Sequence, residues 1–355
     1  MAYGNTPPGW GGWMPPPPPK PGVIPLRPLG LGDILGGAFS TMGRYWKQLF
    51  GIALTVYAAA AVVVVAALAV AYAAVGDDLD RINDPHIAAP GWDEVRPLLF
   101  AFIGVWCIAI LATLLATAVI YAACPAVLQD AVLGRATTFG IVWRRAWAQV
   151  PAVIGTVFLS ALIILVPIAL FLTALVTMIV AFLSTGADAY IGLTLAFLGA
   201  LATAPLAVWL WVKFSLAPAA AVFERQGALA ALRRSAHLVR GNWWRVYGIT
   251  LLAGLIAGVA SYAVQLPFSF LGMLPGMAGT DDLGPDPSAA QVLVSLGGLL
   301  ILSMAGQLIA QIFAATFPQL VTSLVYVDQR IRKEDLAPSL AEAAAVPPAT
   351  APPAY

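Results

Sequence analysis

The stretch 224–252 reads ERQGALAALRRSAHLVRGNWWRVYGITLL. It opens on an acid and a glycine, Glu224 and Gly227, and then takes up a helical rhythm. Leu229, Leu232, Ala236 and Val239 recur at three- and four-residue steps, while Arg233, His237 and Arg240 share another face. Trp243, Trp244 and Arg245 follow, and rings and guanidinium groups of this kind favour the headgroup layer of a bilayer. An uninterrupted apolar run begins directly after them. The pattern predicts a helix lying in the membrane interface that hands over to a membrane-crossing helix.

The whole chain supports that reading. Of its 355 residues 61% are hydrophobic and 10% charged, against about 25% charged in ordinary soluble domains. Six intervals hold no Asp, Glu, Lys or Arg: 48–76, 97–129, 146–187, 189–212, 246–280 and 287–327. Each exceeds the roughly 20 residues a helix needs to cross about 30 Å of hydrocarbon. The charges between them are sorted by sign. The N-terminal arm, loops 125–149 and 213–246 and the C-terminal tail carry 16 of the 18 Lys and Arg. Loops 77–97, 184–190 and 276–289 carry only Arg81 and Arg96, against ten acids. Basic loops stay inside, which predicts that both termini are cytoplasmic. The net charge of +1 hides this asymmetry, and no nucleic-acid partner is expected.

The opening module occurs three times. Residues 46–54, WKQLFGIAL, align without gaps on 243–251, WWRVYGITL, and 147–150, WAQV, align on 46–49. The acids Asp33, Asp130, Glu224 and Asp328 recur at intervals of about a hundred residues. In the first copy Asp33 is read as a helix N-cap before an apolar stripe of Phe39, Met42 and Trp46. The second copy carries Phe139, Trp143 and Trp147 at four-residue steps. The expected fold is therefore all-α: a polytopic membrane helical bundle. Its six transmembrane helices form three parallel two-helix repeats, about 23–124, 125–218 and 219–327, each preceded by a cytoplasmic interfacial helix. Span two is expected to stop at Cys124-Pro125. The flanks 1–22, with eight Pro and five Gly, and 336–355, rich in Ala and Pro, are expected to be disordered. The membrane domain is 23–335.

Little in the chain suggests catalysis. The two histidines, His86 and His237, fall on opposite sides of the bilayer, no metal-ligand spacing occurs, and no glycine-rich phosphate loop precedes a lysine. No enzyme activity, cofactor or metal is expected. Cys107 and Cys124 lie about 25 Å apart along one helix, out of disulfide reach, and are read as buried small apolar residues. Two candidate interaction features remain. Arg44, Lys47, Arg144, Arg145, Arg233, Arg234, Arg240 and Arg245 form a basic cytoplasmic rim beside tryptophans, suited to anionic lipid of the inner leaflet or to a protein partner. Gln265, Ser303, Gln307 and Gln311 form a polar stripe on spans five and six. That stripe fits hydrogen bonding between helices or the pathway of a carrier for a lipid-like or neutral solute. Spans five and six also carry small residues at four-residue steps, Gly254 with Gly258 and Gly306 with Ala310 and Ala314. The proline run 15–19 is suited to an aromatic-lined groove on a further partner.

Three segments also resemble a known bacterial family. They are PLRPL-x-x-GDIL-x-x-AF at 25–39, ALRRS-x-x-LVRG-x-WWR at 231–245 and D-x-RIRKE at 328–334. They are similar to the membrane domain family of glycerophosphoryl diester phosphodiesterases, over about residues 24–340. The resemblance implies about six spans and a location in a bacterial plasma membrane, which suits a chain with 14 Arg against 4 Lys. It implies no catalysis here, because family enzymes resemble phosphodiesterases that use a separate soluble barrel.

Overall fold

The computed structural model describes residues 21–82, 91–183, 187–282 and 289–345. Among them every regular element is a helix. Six are long: α2 (Trp46–Ile82), α3 (Trp92–Val132), α4 (Phe139–Leu183), α5 (Ala187–Phe214), α8 (Trp243–Asp282) and α9 (Ala289–Glu334). Four are short: α1 (Leu31–Arg44), α6 (Ala217–Glu224), α7 (Ala228–Val239) and α10 (Leu336–Ala345). Each long helix contains a segment long and apolar enough to cross a membrane, which makes this a multi-pass membrane protein. Consecutive long helices pack most extensively as α2 with α3, α4 with α5, and α8 with α9. The short helices gather with α3 and α9 at one end, the end that carries most of the described arginines.

Burial is concentrated at that charged end. The most apolar window of α3 has 0% of its residues buried, whereas that of α9 is 56% buried. The apolar flanks of the hairpins therefore face outward, as lipid-exposed surfaces should. The core lies where α3 and α9 project past the apolar zone, around Ile120, Leu128, Leu238, Phe317, Leu324 and Tyr326. A strap, residues 21–30, runs across it with Val23, Ile24 and Leu29 buried. The Val23 N–H donates to the Ala131 carbonyl at 3.1 Å. The crossing leaves no room for side chains. A Cβ on Gly22 would overlap the Ala131 oxygen. Gly134, just past the end of α3 with φ +69°, would meet Pro21 in the same way.

Several local expectations are corrected. The second copy of the module has no separate interfacial helix. Instead α3 continues through Pro125 to Val132, and a short turn leads directly into α4. Proline removes one helical hydrogen bond, but Ala122, Ala123, Cys124, Ala126, Val127 and Leu128 are all buried there. Tertiary packing thus overrides the local break. Asp33 is not the N-cap. That position is Gly30, whose N–H donates to the Asp33 Oδ2 at 2.9 Å from three residues ahead. Residues 336–345, expected to be disordered, form α10, with Leu336, Ala337 and Leu340 against the core. Cys107 is exposed, and only Cys124 is buried. The outermost parts of the two flanks, 1–20 and 346–355, lie outside the described residues. So do His86 and parts of the acidic loops.

The amphipathic faces are partly rotated from expectation, with Leu232 and Val239 of α7 inward as predicted. In α7 the buried residues are Ala231, Leu232, Ser235, Leu238 and Val239, while Leu229 is exposed. In α1 they are Ile34, Gly37, Ala38 and Thr41, and Phe39 and Trp46 lie outside. Small residues turn inward so that the helices can approach, and the aromatics are left at the surface.

The small-residue steps on α8 and α9 separate in the same way. Gly254 and Gly258 meet nothing, and Ala253 and Ala257, one position earlier, are buried instead. Gly306 packs so closely on Phe268 that a Cβ would lie 2.5 Å from the Phe268 Cβ. Gly306→Ala is therefore expected to destabilise the α8–α9 hairpin by about 1–3 kcal/mol through overpacking. Gly254→Ala should stay within about 0.5 kcal/mol of wild type. Thermal melting of the two variants in detergent checks the difference.

Candidate functional site

The charged end is organised by carboxylates. Asp328, near the end of α9, is completely buried. Its Oδ1 accepts the Leu29 N–H and the Arg332 Nε, both at 2.9 Å. Its Oδ2 accepts two donors of Arg245 from α8, at 3.1 and 3.3 Å. Both arginines also reach the Leu29 carbonyl, at 2.6 and 2.9 Å. One peptide of the strap is thus held at its N–H and its C=O, and the buried charge is saturated with donors.

A second cluster joins the end of α6, α7 and α9. Glu224 accepts Arg234 Nε at 2.7 Å, Gln226 Nε2 at 2.8 Å and the Tyr326 hydroxyl. Arg234 also pairs with Glu334, which in turn holds Arg330 at 2.9 Å. Burial opposes the charge on Arg234, but Glu224 and Glu334 outweigh it, so its pKa is raised and it remains charged. Lys333 Nζ donates to the carbonyls of His237 and Arg240, closing the C-terminus of α7. In a third pair Arg145 meets Asp130 at 3.0 Å. Asp33, the first of the four recurring acids, accepts the Gly30 N–H and pairs, among the described residues, with the exposed Arg27 at 3.5 Å.

These contacts divide the eight candidate rim residues. Arg145, Arg234 and Arg245 are committed to carboxylates. Arg44, Lys47, Arg144, Arg233 and Arg240 are exposed, and no described carboxylate pairs with their side chains. Aromatic rings accompany the second group. Lys47 lies 6.0 Å from the Trp46 ring and Arg44 5.9 Å from Tyr45. Phe139, Trp143 and Trp147 form a ladder along α4 with centroids 5.7 Å apart. Trp243 stacks on Tyr247 at 5.1 Å.

Two apolar grooves open beneath these rings. One, of about 470 Å³, lies between α2 and α3 and is topped by Trp143 and Trp147. The other, of about 530 Å³, lies between α4, α5 and α8 and is topped by Trp243, Trp244 and Tyr247. Two smaller cavities lie at the charged end. One of about 260 Å³ is walled by Arg144, Arg145 and Arg225, and one of about 320 Å³ lies under α10.

The polar stripe does not converge on any of these cavities. Gln307 is exposed, Gln311 Nε2 donates to the Tyr57 hydroxyl at 3.4 Å, and Ser303 and Gln265 are half-buried. Ser261 Oγ donates to the Ala310 carbonyl at 3.1 Å across the same hairpin. No group of three or more His, Cys, Asp or Glu among the described residues could hold a metal ion. Sequence reasoning missed Arg225, because nothing in its neighbourhood announces it. It also missed the partners Arg330 and Glu334, although their four-residue spacing is a legible signal.

These features define a polytopic helical membrane protein with an ion-paired, arginine-rich end. Residues 48–324 match the model of a family described as a domain of unknown function, DUF7847, and the chain belongs to that family. No curated protein and no solved structure matches it.

Neighbouring arginines are expected to behave differently. Arg234→Gln removes the nearest counterion of Glu224 and one of the two arginines on Glu334, leaving both acids to Arg330, and should cost about 1–3 kcal/mol. Arg233→Gln and Arg240→Gln should each stay within about 0.5 kcal/mol of wild type. Asp328→Ala, which strands two arginines and a strap peptide, should cost about 3–5 kcal/mol. Melting midpoints, with limited proteolysis between residues 21 and 30, read both effects.

Proposed function

We propose that this chain is a non-catalytic protein of a bacterial plasma membrane that engages anionic lipid of the inner leaflet through its basic rim. The observation carrying this reading is the division of the rim. Arginines that build the fold are neutralised by carboxylates, whereas Arg44, Lys47, Arg144, Arg233 and Arg240 are exposed and meet no described carboxylate, with the Tyr45 and Trp46 rings against Arg44 and Lys47. Fold-building alone requires no such residues. Each Lys or Arg near an anionic leaflet contributes about 1 kcal/mol, and aromatic rings favour the same depth. The grooves beneath Trp143 and Trp243 are suited to the acyl chains of such lipids. The proline-rich N-terminal arm would serve a separate protein partner.

In this reading both termini are cytoplasmic, and the three hairpins are parallel repeats. The finer kinship to the membrane domain family of glycerophosphoryl diester phosphodiesterases is part of it. The three segments that carry that resemblance supply Leu29, Arg245, and Asp328 with Arg332, and these four residues meet in one cluster.

Two measurements test the proposal. Single cysteines replacing Asp80 and Asp282, in a background lacking Cys107 and Cys124, should react with a membrane-impermeant reagent on intact cells. Reaction only after lysis would reverse the orientation. The quadruple replacement of Arg44, Lys47, Arg233 and Arg240 by glutamine should leave melting unchanged. It should weaken retention of phosphatidylglycerol by up to about 4 kcal/mol at low salt, with the loss shrinking as salt is added. Equal retention by both proteins at every salt concentration would reduce the rim to a determinant of topology.

A further inference from the structure

We propose that the cavity between α3, α4 and the α6–α7 turn is a discrete oxyanion site for a phosphate group, held by Arg144, Arg145 and Arg225. The inference depends on the rim reading only for the source of the phosphate, not for the site itself.

The geometry differs from the rest of the rim. Arg144, Arg145 and Arg225, exposed like the rest of the rim, line one concavity of about 260 Å³ in common. Arg145 is anchored at 3.0 Å to Asp130. Among the described residues neither Arg144 nor Arg225 has a carboxylate partner. Two of the three arginines lining the cavity therefore keep an uncompensated positive charge. Gln129 and Gln149 add neutral amide donors, and Ala126, Ala148 and Val222 supply apolar wall. Low-dielectric walls of this kind focus the field of the charges they enclose. Planar guanidinium forks match the oxygens of a phosphate. A tetrahedral phosphate can occupy several forks at once, where a carboxylate offers only two oxygens.

The backbone at Arg225 is an independent observation. This residue terminates α6 in the left-handed conformation, with φ 51° and ψ 41°, and its N–H donates to the Ala221 carbonyl. Glycine is the ordinary residue at such a helix end, because a Cβ there is strained. The chain instead places its longest cationic side chain at that point, beside the cavity. Strain held at a position where a simpler residue would suffice points to work done by the side chain. Glu224 and Gln226, on either side, are bonded to each other at 2.8 Å, which holds the turn.

The turn geometry supplies a decisive variant. Arg225→Gly should melt at or above the wild-type temperature, since it relieves the left-handed strain, and should nevertheless lose the anion. Full-length protein is compared with Arg225→Gly and Arg144→Gln in two arms: inorganic phosphate added in detergent, and nanodiscs of phosphatidylglycerol against phosphatidylcholine. Binding in each arm should weaken about tenfold or more per guanidinium removed, in line with the loss of one charge-assisted contact. Loss in both arms supports a site open to free phosphate, and loss only in nanodiscs supports a lipid headgroup. If both variants bind both probes as wild type does, the site does not exist. If they do so while the quadruple rim variant loses phosphatidylglycerol, the pocket inference fails and the rim reading stands. Should Arg225→Gly melt well below wild type, its side chain is structural, and Arg144→Gln alone decides the question.

Discussion

A single buried carboxylate ties this chain together. Asp328 has no solvent exposure and accepts hydrogen bonds from a strap ahead of the first long helix, from α8 and from its own helix. Desolvating such a charge costs several kcal/mol, recovered only when its donors sit in good geometry. The arrangement is therefore conditional on all its members. Leu29 must cross at one register, Arg245 must leave α8 at the point where its apolar run begins, and α9 must continue as a helix past that run to present Arg332. Each requirement fixes an element that the lipid-facing surfaces leave free.

That conditionality matters because the membrane supplies little specificity. Lipid tails are as apolar as the helix flanks, so no hydrophobic force drives one span against another. The exposed windows of α2, α3 and α4 reflect this. What orders the hairpins is the compact region at their charged end, where α9 and the extension of α3 cross under the strap and under α6 and α7. Packing there is ordinary protein packing, with Tyr326 stacked on Phe223 at 5.1 Å and Phe317 on Phe313 at 5.5 Å. α10 extends it, its Leu336 and Leu340 lying over the same core.

The number of long helices was legible in the sequence, because charge-free runs of that length rarely serve any purpose but crossing a bilayer. So was the importance of Asp130, Glu224 and Asp328, since acids are scarce at this end and each of these three meets an arginine. Other features were hidden for physical reasons. Pro125 reads as a terminator, yet burial of its neighbours holds α3 intact. The aromatics suggested the wrong inward face for α1, and in α7 Leu229 did so, although Leu232 and Val239 lie inward as expected. Ala231 and Ser235 face inward because close approach favours small side chains. The split of the rim was hidden too: nothing in ALRRS distinguishes Arg233 from Arg234, and only the fold brings Glu224 and Glu334 to the second. The polar stripe illustrates the reverse case, since a helical spacing that puts Ser303, Gln307 and Gln311 on one line did not give them one environment.

Arginine carries two separable tasks in this end of the molecule, and the neighbouring carboxylate decides which. Arg145, Arg234, Arg245 and Arg332 are counterions of buried or half-buried acids. Arg44, Arg144, Arg225, Arg233 and Arg240 have no such obligation, so their charge is available outside the fold. Their backbone settings sharpen the contrast. Most sit on regular helices, where arginine is a good former and adds no strain. Arg225 sits where it is conformationally disfavoured. A charge kept free at a strained helix end, beside a cavity that two further arginines line, is what sets the proposed phosphate site apart from the fold-building pairs.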